Sequence, residues 1–69
     1  MPLTMARPGE RVVIRRITGR DEVRQHLAEL GFVVGEPVMV ISELNGNLIV
    51  QVKESRVALD GSMANRIVI

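Results

Sequence analysis

The chain reads as mainly β: a small, strongly bent antiparallel sheet of about five strands that closes on itself and carries one short helix. Three observations predict this. Aliphatic residues, Val and Ile above all, supply nearly all of the 46% hydrophobic content, and such residues favour strands. An Asn45-Gly46 pair stands between two apolar runs, where it marks a hairpin. One segment alone, Asp21 to Leu30, repeats its apolar residues at helical spacing.

Taken in order, Pro8-Gly9-Glu10 is a turn into a strand over Arg11 to Ile17. Val12 and Ile14 share one face of that strand, while Val13, Arg15 and Ile17 share the other. Thr18-Gly19-Arg20 is a loop. The helix follows over Asp21 to Leu30, with Val23, Leu27 and Leu30 recurring at helical spacing and acidic Asp21 and Glu22 in the first turn, where backbone N–H groups are unpaired. So short a helix is unstable alone and must dock. Gly31 suits the left-handed residue just past its end, and Phe32 then folds back onto Leu27 as the apolar partner of a Schellman ending.

Pro37 opens a second strand that runs to about Leu44, since a missing N–H is tolerated at a strand start. Asn45-Gly46 turns it into a third, in which Leu48, Val50 and Val52 alternate with Ile49, Gln51 and Lys53. A fourth covers about Arg56 to Leu59. After Asp60-Gly61-Ser62, one helical turn at Met63 to Asn65 leads to a fifth strand, Arg66 to Ile69.

The run Leu27-Ala28-Glu29-Leu30-Gly31-Phe32-Val33-Val34-Gly35-Glu36-Pro37-Val38 resembles the signature "L..LGl.pG..v.v" of the ferrous iron transport protein A (FeoA) family. Leu3, Pro8-Gly9-Glu10 and the strand Val12 to Ile17 look like its opening, and Val57-Ala58-Leu59, Ala64 and Ile67-Val68-Ile69 like its ending. The likeness covers essentially the whole chain. Val34 departs from it, standing where the family usually has Pro, without altering the register. The resemblance implies an SH3-like barrel. It also implies a small cytoplasmic accessory to the membrane ferrous iron transporter FeoB, binding that protein's cytosolic GTP-binding region to assist or regulate uptake.

At 69 residues there is room for one domain with a thin core, spanning 1–69. Without cysteine, neither disulfides nor thiolate ligands support the fold. No apolar run approaches the roughly 20 residues that cross a bilayer, so no direct membrane insertion is expected and a cytoplasmic home is. Net charge is only +1, yet Arg7, Arg11, Arg15, Arg16, Arg20 and Arg24 all fall at or before position 24. A domain so polarised can orient against a charged partner.

Little in the chain suits catalysis, because there is no Cys or Tyr and a single His. The reading is therefore of a non-enzyme without a cofactor. Glu22, His26 and Glu29 share a helix face and are the one candidate metal set, but a solvated face accounts for them more simply. The dispersed glycines form no phosphate-cradling loop.

An RNA-binding barrel is an alternative, given the arginines. It lacks stacking platforms, Phe32 being the one aromatic, and so forgoes the roughly 1 to 3 kcal/mol per base that stacking supplies. A second alternative is a stand-alone relative of the barrel that ends metal-dependent repressors; the barrel here begins within a few residues of Met1, which leaves no room for a DNA-binding portion. Met5, Met39 and Met63 either fill the core or soften a partner surface, and open sheet edges offer a partner segment, or weak self-association, a further route. The docking surface expected is the helix end and loop, Leu30, Gly31, Phe32, Val33, Val34 and Gly35, with Arg16 and Arg20 steering a protein partner rather than nucleic acid.

Overall fold

A computed structural model describes residues 1–69. Its elements in chain order are a 3₁₀ turn at Leu3–Met5, β1 (Arg11–Val13), β2 (Arg16–Ile17), α1 (Asp21–Glu29), β3 (Pro37–Leu44), β4 (Asn47–Val52), β5 (Ser55–Leu59), α2 (Gly61–Ala64) and β6 (Ile67–Val68). All pairings are antiparallel. β1, β3, β4 and β5 lie side by side in that order, and β2 pairs with β6 in a second, two-stranded sheet.

The expected strand over Arg11 to Ile17 is two strands rather than one. Ile14 N–H donates to the Glu36 carbonyl beside β3 at 3.0 Å, whereas Arg15 N–H donates to Val68 of β6 at 2.8 Å. The chain changes partner at this bond, so no single ladder runs through it. Ile14 stands at the corner, its side chain buried in the core that both sheets enclose.

The hairpin forms where Asn-Gly places it. Asn45 and Gly46 have φ of 53° and 81°, the pair of positive values that matches the turn to the strands' twist. A register shift between Val40 and Ser42 bends β3 and adds to the curvature that closes the barrel.

α1 ends in the Schellman geometry that Gly31 permits, with φ of 105° there. Gly31 N–H donates to Ala28 at 3.0 Å and Phe32 N–H to Leu27 at 2.9 Å, satisfying two carbonyls that the last turn would otherwise leave open. The final short helix begins earlier than Met63. Asp60 is its cap: the carboxylate accepts from Met63 N–H at 2.8 Å and from Ser62 Oγ at 2.9 Å, which draws Gly61 into the turn.

The core is wholly apolar. Val38, Val40, Leu48, Val50, Val52 and Leu59 line the inner face of the large sheet. Leu27, Phe32, Ile14, Leu3 and Ile67 close over it from the other elements. Met63 packs at the margin of this cluster, Met39 is half-buried on the outer face of β3 away from it, and Met5 stands exposed. No helix is long and apolar enough to cross a membrane.

Candidate functional site

The end of α1 and the loop after it are tied down at both ends. On one side stands the Schellman ending. On the other, Gly35 N–H donates to the Ile14 carbonyl at 2.8 Å and Glu36 N–H to that of Val33 at 3.1 Å. Held this way, the loop turns Val33 and Val34 outward, where they are 38% and 65% exposed. Two adjacent aliphatic side chains fixed in water on a short, anchored loop are the most conspicuous apolar surface near the helix.

A groove of about 290 Å³ opens beside them. Ile17 and Arg16 of β2 form one wall and Arg24 and Ala28 of α1 the other, with Val33, Val34 and the buried Phe32 closing it. The groove is apolar at its base and cationic at its rim. Arg24 meets Asp21 at 3.3 Å, an exposed pair of small energetic weight, and this is the single ion pair in the protein. Arg16 has no carboxylate partner.

Of the residues expected at the surface, the groove thus gathers Phe32, Val33, Val34 and Arg16. Phe32 serves from beneath, because its side chain is fully buried and presents no accessible face. Leu30 packs on the core, Gly31 approaches the Val52 side chain, and Gly35 faces open space. Arg20 is the residue before the first turn of α1; it is exposed and outside the groove. Ile17, Arg24 and Ala28 were not expected. The spacing of Arg24 and Ala28, one helical turn apart, is the signal that could have joined them.

The arginines do not form one patch. Arg16 and Arg24 flank this groove, whereas Arg11 and Arg15 border a different one. Glu22, His26 and Glu29 are all exposed on α1, and nowhere are three or more carboxylate, imidazole or thiol groups gathered as a metal site.

The sequence pattern of the FeoA domain matches residues 1–69. The chain belongs to the FeoA domain family. An Fe(2+) transport protein A of Methanocaldococcus jannaschii is 31% identical over 68 residues, which cover 99% of this chain and 83% of that protein. Among solved structures, Stenotrophomonas maltophilia FeoA, crystallised with zinc and described as an SH3 domain protein, superposes with a TM-score of 0.86 at 32% identity, over 99% of this chain and 87% of the other. A manganese-dependent transcriptional repressor aligns with a TM-score of 0.87 at 21% identity, covering 97% of this chain and 39% of its own; that likeness is one of fold alone. As a FeoA domain the chain is an accessory component of ferrous iron transport, built on the SH3-like barrel.

Proposed function

We propose that this FeoA domain works without catalysis, as a cytoplasmic docking module for the GTP-binding cytosolic region of the membrane transporter FeoB, and that it assists or regulates iron uptake through that contact. The observation that carries the reading is the groove beside α1: exposed Val33 and Val34 on a loop anchored at both ends, rimmed by Arg16 and Arg24. A fixed aliphatic pair supplies contact area at little entropic cost, and the cations steer approach toward an acidic surface. Family membership supports the partner. The full burial of Phe32 removes the one ring on which a nucleic-acid base could stack, which favours a protein partner over RNA.

The test is an amide-shift titration of the isotope-labelled domain with the cytosolic region of its transporter, with and without guanine nucleotide. Shifts concentrated at Arg16, Ile17, Arg24, Ala28, Val33 and Val34 are expected. A silent titration, or shifts confined to other faces, overturns the reading.

A further inference from the structure

A second groove, about 690 Å³ in volume, shares no residue with the first. It runs along β1, with Arg11, Val13 and Arg15 on one side and Met1 and Ile69 on the other, and Glu10 at its rim.

β1 is an outermost strand, paired with β3 alone. Successive residues of an antiparallel strand direct their backbone groups to opposite sides. Ile14 N–H is bonded toward β3, to Glu36, so the same alternation turns the backbone groups of Arg11 and Val13 away from β3. The pairing agrees: Val13 stands opposite Pro37, which has no N–H to exchange. Arg15, next in the alternation, donates from that outer side to Val68 of β6. β6 therefore lies along the outer side as far as Arg15. Its ladder ends at Val68, and Ile69 N–H is taken instead by the Met1 carbonyl at 2.7 Å. The outward backbone groups of Arg11 and Val13 pair with no strand.

The side chains beside this open edge say what fits it. Val13 is 50% exposed, and Arg11 and Arg15 stand on the same face of the strand, both exposed and neither in an ion pair. Glu10 offsets part of that charge. A second copy of the chain is a poor occupant: Arg15 is already bonded to β6, so two copies would pair about Val12, and that brings Arg11 and Arg15 of both onto one face, where like charges are destabilising. The other sheet edge, β5, carries exposed Arg56 and offers no better match.

We propose that the free edge of β1 docks an extended acidic and aliphatic segment of a partner protein by strand addition, its aliphatic residue against Val13 and its carboxylates against Arg11 and Arg15. The surface stands independently of the groove beside α1. Together they make the domain a two-sided connector.

The probe is a capped peptide, Glu-Thr-Val-Thr-Glu, whose alternation sets both Glu and the Val on one face, titrated into the isotope-labelled domain alongside a version with Lys in place of both Glu. The expected result is amide shifts at Arg11, Val13, Arg15 and Ile69, with slowed hydrogen exchange of the Arg11 and Val13 amides, for the acidic peptide alone. Val13→Pro deletes an outward N–H while sparing the ladder with β3, and should weaken the peptide about tenfold, the loss of one well-made hydrogen bond. Arg11→Glu combined with Arg15→Glu provides a second variant that leaves the backbone untouched and should reverse the preference toward the Lys peptide. Equal response to both peptides, shifts at Val33 and Val34 instead, or displacement of the acidic peptide's preference by oligouridylate binding at the same residues overturns the proposal.

Discussion

The Phe32 amide donates to the Leu27 carbonyl at 2.9 Å, and both side chains are completely buried. One hydrogen bond thus ends α1, plants the domain's single aromatic ring in the core and sets the direction in which Val33 and Val34 leave it. The groove beside α1 is a by-product of how the helix stops.

Gly31 makes that ending possible, at a φ of 105°. A Cβ there would meet the Val52 methyl carbons at 3.6 and 3.7 Å, ordinary contact distances, so the penalty for a side chain is conformational rather than steric. Gly31→Ala should lower stability by about 1 to 2 kcal/mol. Urea denaturation measures this; a change near zero would show that the ending does not depend on the left-handed residue.

Lys53 presents the converse case. It holds φ of 53° in the turn between β4 and β5, a conformation that glycine adopts without strain. Lys53→Gly should therefore stabilise the domain, by about 1 kcal/mol, even though glycine loosens the unfolded chain. A lower thermal midpoint in the variant contradicts this.

Asp60 ties stability to pH. The Met63 N–H, and after it the Ser62 hydroxyl, hold its carboxyl below the ordinary value of 3.8. A depressed folded-state pKa stabilises the folded state above the unfolded value, and that contribution is lost as pH falls through the folded pKa. Acid titrations monitored by circular dichroism should show part of the destabilisation below pH 3.8 disappearing in Asp60→Asn, which keeps an acceptor for the cap but cannot ionise. Identical acid profiles would remove Asp60 from the account.

Arg16 has no carboxylate of its own, and Arg20 lies exposed at the start of α1. Charge reversal at both should slow association with an acidic partner surface by about tenfold at low salt and flatten the dependence of the rate on ionic strength. Stopped-flow mixing at two salt concentrations reads this directly. Rates that match the native domain would dismiss steering.

What the sequence revealed was local. The Asn45-Gly46 turn, the alternation of Leu48, Val50 and Val52, and the Leu27-to-Phe32 ending each depend on residues within a few positions of one another, so their chemistry is readable from the chain. The break between Ile14 and Arg15 is of another kind. Val12 to Ile17 satisfies a continuous strand pattern, and what divides it is the arrival of Glu36 on one side and Val68 on the other, both far off in sequence. The Asp60 cap is masked in the sequence because Gly61 follows it and reads as loop, although an acid three residues before an amide is an ordinary helix start. The same distinction divides the site. Val33 and Val34 were legible from the helix end, while Ile17, Arg24 and Ala28 join them only because β2 passes alongside α1.

The most direct test of the docking account is the affinity of the domain for the cytosolic GTP-binding region of its transporter, measured by calorimetry for the native chain and for Val34→Asp. Val34 is 65% exposed and contributes nothing to the core, so the variant should keep its fold and its amide spectrum outside the loop. The account predicts binding weakened about tenfold or more, as when a charge is placed in the apolar part of an interface. Undiminished affinity in a correctly folded Val34→Asp would contradict it.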